Sequence, residues 1–159
     1  MHTEVIEKFE KLEKEPLQIL PCIEAEQVGR ELISRYHGHL VNATVLYLTT
    51  NQARKRKGKP VHATTKKVDP LMNHFTQADF LILIDETYWM YATEAQKQAL
   101  IDRQLCYCGV DEKGKWVIWP TDVECFIGEV TRHGLWRDDV RVFVEAAQNI
   151  PGAGREVAA

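Results

Sequence analysis

The sequence predicts a single α+β domain, and three observations carry that expectation. Ala78–Asp85 (ADFLILID) is a continuous apolar run bounded by polar residues, the pattern of a strand covered on both faces. Segments 41–50 and 61–68 also read as strands and lie too close for a helical crossover, so a mixed or antiparallel sheet is expected. Helical patterns flank these strands on both sides, giving the order helix, strands, helix, hairpin, helix, helix. At 159 residues the chain has the length of one domain. With 45% apolar and 27% charged residues it is neither collagen-like, low-complexity nor largely disordered.

Each element has its own local reason. Over residues 1–15, Val5, Ile6, Phe9 and Leu12 recur at three-to-four spacing, which makes residues 1–20 a helical arm, broken by Pro16 and Pro21. The domain proper is assigned to 21–150, and the small, polar residues 151–159 to a flexible tail. A helix from Glu24 to Tyr36 turns Val28, Leu32 and Ile33 inward and stops near Gly38. VNATVLYLTT (41–50) is β-branched and aromatic, hence a strand. Gly58-Lys59-Pro60 predicts a turn, and 61–68 a returning edge strand marked by its lysines. Thr93 and Gln96 form a Thr-x-x-Gln capping box opening a helix that is expected to run to Cys108 and close at Gly109. DEKGKWVIWP (111–120) reads as a hairpin with Lys113-Gly114 at its turn, followed by helices over 121–133 and 137–148 separated by Gly134.

The net charge of −3 conceals an asymmetry. Arg54, Lys55, Arg56, Lys57, Lys59, Lys66 and Lys67 are seven basic residues with no acid among them, while the rest of the chain has a balance of −10. Such a segment can grip phosphates of DNA or RNA without reading sequence, although no aromatic lies in it to stack on bases; it equally suits a solvated strand edge guarded by lysines. Cys22, Cys106, Cys108 and Cys125 suit reduced thiols of a cytoplasmic protein. Neither a membrane span nor an apolar signal core is expected. Cys106 and Cys108 point about 200° apart on a helix, and His37, His39, His62, His74 and His133 show no metal-ligand spacing, so no metal ligands are expected among them.

Asp79–Cys108 (DFLILIDETYWMYATEAQKQALIDRQLCYC) carries a strand, a Trp-containing turn and a helix, in the arrangement in which the phage metallopeptidase family places Asp-His-Glu-Leu-Cys-His. ELISRYHGHL (31–40), Lys57-Gly58-Lys59, TDVECF (121–126) and RHGLW (132–136) follow the same order, so residues 24–147 resemble that family. The resemblance implies a zincin-like fold and a zinc site of the type His-Glu-x-x-His, in which two imidazoles at i and i+4 bind Zn²⁺ and a glutamate activates the bound water. At that place this sequence has Arg103-Gln104-Leu105-Cys106-Tyr107. A guanidinium stays protonated, an amide is no base, and a phenol is a poor ligand at neutral pH. Zinc, expected in the family, is therefore expected to be absent here, with the peptidase reaction. The family's His-Asp-x-Glu-Glu-Phe corresponds to Thr121–Phe126, keeping the acids Asp122 and Glu124. Arg103 is expected to stand in for the cation, paired with one of them, so that its truncation costs a few kcal/mol.

The expected function is that of a catalytically inactive, cytoplasmic, metallopeptidase-like phage protein that binds a host protein or protein–nucleic acid complex, as in blocking a defence system. Aromatics around the altered helix, Trp89 and Trp119 foremost, are expected to anchor that partner together with the basic segment. The alternatives are a remodelled metal-dependent hydrolase and a DNA-binding accessory protein using residues 54–67.

Overall fold

Phe80, Ile82 and Ile84 are wholly buried while Leu81, Leu83 and Asp85 between them are half-buried, so the strongest strand of the sequence alternates rather than being sealed on both faces. This strand sits inside a four-stranded mixed sheet in the computed structural model, which describes residues 15–149. The helix expected over 1–15, except for residue 15, and the tail expected over 151–159 lie outside those residues. Strands are β1 (Ile19–Pro21), β2 (Val45–Thr50), β3 (Arg54–Arg56), β4 (Lys59–Val61), β5 (Ala63–Lys67), β6 (Phe80–Asp85), β7 (Cys108–Val110) and β8 (Trp116–Ile118). The main sheet has the order β1-β2-β6-β5, with β2 and β6 parallel and both outer pairs antiparallel. As expected from its lysines, β5 is an edge.

Helix α1 (Ile23–Tyr36) and helix α4 (Glu94–Cys106) cover the buried face of the sheet. Ala25 of α1, Tyr47, Phe80, Ile82, Ile84, Trp89, Ile101, Leu105 and Cys108 form one core, with Val28, Leu32 and Ile33 packed at its margin. The capping box at Thr93 is present in full. Helix α4 ends at Cys106 rather than Cys108, because Cys108–Val110 pairs with Trp116–Ile118 as the expected hairpin.

Several elements depart from the sequence expectation. Ile19 and Leu20, assigned to the arm, join the sheet edge by pairing with Thr50 and Thr49. The turn after Arg54 lies one residue early, at Lys57-Gly58, where φ values of 52° and 75° give the left-handed pair that a two-residue hairpin needs. It closes a separate ribbon, β3–β4, before the chain enters β5. Helices α2 (Pro70–Thr76) and α3 (Glu86–Tyr91) were not expected, although both carry a readable start: Asp69 caps Met72 with proline next to it, and Asp85 caps Thr87.

Within the basic segment Arg54 is structural. Its Nη1 donates to Thr64 Oγ1 at 2.6 Å and its Nη2 to the Leu83 carbonyl at 2.9 Å, and burial lowers its pKa. Arg54→Met is expected to lower stability by about 1–3 kcal/mol, whereas Lys55→Ala on the same ribbon stays within about 0.5 kcal/mol. Urea unfolding of the two variants checks this.

The described residues form two compact units, through Trp119 and from Pro120 onward. In the second, helices α5 (Ile127–His133) and α6 (Asp138–Gln148) flank Gly134. Residues 121–126, expected as the first turns of α5, are not helical. Arg137 organises this unit by donating to Asp139 and to the Glu124 carbonyl. No helix among the described residues is long and apolar enough to cross a membrane.

Candidate functional site

The helix α4 buries a seam made by Ile101, Gln104 and Leu105, at the three-to-four spacing of one helical face. Two i, i+4 pairs flank that seam. One is Arg103 with Tyr107; the other is Asp102 with Cys106.

On the first flank, Arg103 is exposed and its Nη2 donates to the Tyr107 hydroxyl at 3.3 Å, with the guanidinium 5.9 Å from the ring centre. Gln104 between them is only 3% exposed, and its Oε1 accepts from Thr65 Oγ1 of β5 at 2.9 Å. Together with His62, Thr64, Arg56 and Ile118 these residues line a cleft of about 430 Å³. His62 stacks on Tyr88 with ring centres 4.0 Å apart, and its Nδ1 is buried without a partner among the described residues. The cleft thus offers two guanidinium groups, a phenol and an imidazole.

Arg103 is not the buried cation expected from the sequence. It is solvated and meets Tyr107 on its own helix, while Asp122 and Glu124 are exposed residues of the second unit. An exposed side chain contributes little on truncation. Arg103→Ala is accordingly expected to unfold within about 0.5 kcal/mol of the parent in a thermal melt, rather than to lose several.

The second flank faces the end of α1. His37, the C-cap of that helix and 7% exposed, donates from Nε2 to Asp102 Oδ1 at 2.6 Å. Cys106, one turn beyond Asp102, brings its sulfur into the same group: the three donor atoms lie within 4.8 Å of one another. No metal ligands are expected among the histidines from the sequence; the fold nonetheless brings His37 into one group with Asp102 and Cys106. The Asp102-x-x-x-Cys106 spacing was in the sequence, but its third member comes from a residue 65 positions away. His39 has another use, donating from Nε2 to the Cys108 carbonyl at 2.8 Å under the indole of Trp119. Cys108 itself is a core residue whose thiol is pushed up to about 12 by burial.

The expected partner-binding residues divide. Lys55, Arg56, Lys57, Lys59, Lys66 and Lys67 are exposed on the ribbon and the β5 edge. Arg54 is tied into the sheet, as above. Trp89 is buried and cannot anchor a partner: its indole donates to Glu24 Oε2 at 3.1 Å, and Lys97 lies 5.2 Å over its ring. The same Lys97 holds the Glu24 carboxyl below its ordinary range. Trp119 is 38% exposed, held against His39 and against Gly109, where a Cβ would meet the indole at 2.3 Å.

Comparison with known families adds one finding. A family model described as "Putative phage metallopeptidase" matches residues 19–148. The chain belongs to that family. Neither the curated proteins nor the solved structures contain a match to it. The sequence resemblance sets the family's zinc motif at Arg103–Tyr107 of α4 and its C-cap. In this phage metallopeptidase family member, Arg103 cannot ligate a cation, Gln104 is engaged by Thr65 and cannot accept a proton, and Tyr107 receives the Arg103 hydrogen bond. The residues do not fit a His-Glu-x-x-His zinc centre, and no step is derived through one.

Proposed function

We propose that this phage metallopeptidase family member does not carry out zinc-dependent peptide hydrolysis and acts by binding a host macromolecule, in the manner of an inhibitor of a defence or nucleic-acid-processing complex. The observation that carries the reading is the Arg103–Tyr107 pair, which occupies the flank where the motif would hold its metal. A guanidinium at the mouth of a cleft recognises what a metal ion in the same place would also attract, a carboxylate or other anion, but holds it without activating water. Arg56 on the cleft wall adds a second cation. An acidic segment of a protein partner fits this surface.

The test has two arms. Purified protein with added Zn²⁺ is incubated with casein and with an unstructured peptide library, and no cleavage above buffer is expected. Capture from host lysate is then compared for the parent and an Arg56→Glu/Arg103→Glu variant, which is expected to lose the partner. Metal-dependent turnover would instead favour the remodelled hydrolase.

A second reading rests on the ribbon, where Lys55 and Arg56 of β3, Lys57 of the turn and Lys59 of β4 are all exposed, as are Lys66 and Lys67 of β5. Duplex DNA binding by this ribbon would weaken steeply with salt. Fluorescence titration at low salt decides it: an absence of binding at micromolar protein retires the reading.

A further inference from the structure

We infer that His37, Asp102 and Cys106 form a site for a divalent cation of the zinc type, on the flank of α4 away from Arg103 and Tyr107. The inference goes beyond the binding role proposed above and does not rest on it.

Three features support it. The donor set is an imidazole nitrogen, a carboxylate oxygen and a thiol sulfur, the mixture that zinc accepts and that magnesium or calcium, which favour oxygen alone, do not. The spatial requirement is nearly met. Tetrahedral zinc holds nitrogen and oxygen donors about 3.3 Å apart and nitrogen and sulfur donors about 3.6 Å apart, given its usual bond lengths. The three donor atoms already lie within 4.8 Å of one another, with Nε2 and Oδ1 at 2.6 Å, so side-chain rotations of well under 2 Å suffice. Finally, His37 is the C-cap of α1, and the carbonyl end of a 14-residue helix favours a positive charge beside it.

The scaffold is also suited to the task. Asp102 and Cys106 stand one turn apart on a helix fixed by the core residues Ile101 and Leu105, and His37 is buried at the end of α1. Two rigid elements thus present the ligands, while the exposed thiol and the half-exposed carboxylate leave a fourth position open to water. Binding replaces the hydrogen between Nε2 and Oδ1, and the Cys106 thiol loses its proton to solvent, so affinity rises with pH. A cation there cross-links α1 to α4.

The probe is Co²⁺, titrated into the untagged, reduced full chain freed of metal beforehand, and followed by absorption. Expected are saturation near about one equivalent, visible bands of low-symmetry cobalt and a near-ultraviolet thiolate-to-cobalt band, all displaced by Zn²⁺. Cys106→Ser, at an exposed position, is expected to abolish the thiolate band. Asp102→Asn is expected to weaken binding at least about tenfold. Cys125→Ser and Tyr107→Phe are expected to leave the spectrum unchanged, which separates this site from the motif flank and from the remaining thiols. Zn²⁺ is expected to raise the melting temperature of the parent and not of Cys106→Ser. Failure to bind cobalt or zinc at hundred-micromolar metal, or a thiolate band that survives Cys106→Ser, overturns the inference. A zinc-loaded protein without peptidase activity upholds both this site and the absence of peptide hydrolysis proposed above, whereas cleavage of casein would overturn the latter alone.

Discussion

Replacing Gly29 by alanine is expected to destabilise the protein by about 2–4 kcal/mol, although alanine is the better helix former. Gly29 lies in the middle of α1 and is buried. A Cβ built there falls 2.0 Å from the Tyr47 hydroxyl and 2.4 Å from the ring carbon that bears it. That ring cannot swing aside: Tyr47 is 5% exposed, belongs to β2 and packs in the core between sheet and helix. The gain of roughly 1 kcal/mol from helix propensity is therefore outweighed by displacing α1 from the sheet. A lowering of the melting temperature by roughly 5–12 °C follows for a chain of this size.

The same contact supplies a control. The Tyr47 hydroxyl is buried without a hydrogen-bond partner among the described residues, and burial pushes its pKa up. Removing it in Tyr47→Phe deletes an unsatisfied polar group and the atom nearest the new methyl, so Tyr47→Phe alone is expected to be near neutral. Combined with Gly29→Ala it should recover part of the loss, a coupling of at least about 1 kcal/mol. Additive losses in the double variant would show that the clash is not with this ring.

The second large effect concerns Gln104, where the family motif calls for a glutamate. Gln104→Glu is isosteric yet is expected to cost about 2–4 kcal/mol at pH 7. The side chain is 3% exposed, and the single hydroxyl of Thr65 is shared between its Oε1 and the Gln104 carbonyl. One shared donor does not stabilise a buried carboxylate, so the new acid prefers its neutral form and its folded pKa lies above the unfolded value of about 4.3. The sign follows from linkage. Below about pH 4 both states hold the proton and the variant matches the parent; as pH rises towards the folded pKa, the unfolded state ionises first and the penalty grows to its full value. Urea midpoints of the two proteins should therefore diverge between pH 4 and 7. Parallel midpoints over that range would mean that the carboxylate reaches solvent or a cation through the cleft. Gln104→Met, which buries no charge, is expected to cost less at pH 7 and to show no such divergence with pH.

The two glutamine and arginine positions illustrate what could be read from residue order. That a guanidinium at 103 cannot ligate zinc and an amide at 104 cannot act as a base is a matter of functional-group chemistry and needs no coordinates. Where each side chain goes is not. Arg103 was placed in a buried ion pair because a retained carboxylate needs a counter-charge, whereas the helix turns it to solvent beside Tyr107. The cluster of aromatics around the altered helix marks Trp89 as a partner contact by sequence, whereas a hydrogen bond to Glu24 allows its indole to be buried. Arg54 belongs by sequence to the basic run, and by structure to the sheet.

Local signals determined what depends on near neighbours. The capping box at Thr93, the apolar period of α1, the hairpin about Gly114 and the lysine-marked edge strand all follow from residues within a few positions of one another. The caps at Asp69 and Asp85 were equally local, and they start helices too short for a periodic pattern to reveal. Only the tertiary structure decided the rest. The register of β6 between a parallel and an antiparallel neighbour, the fit of Tyr47 over Gly29, and the meeting of His37 with Asp102 and Cys106 each join residues far apart in the chain. Such contacts depend on how sheet and helices pack, because backbone periodicity sets which face a side chain takes but not what that face meets.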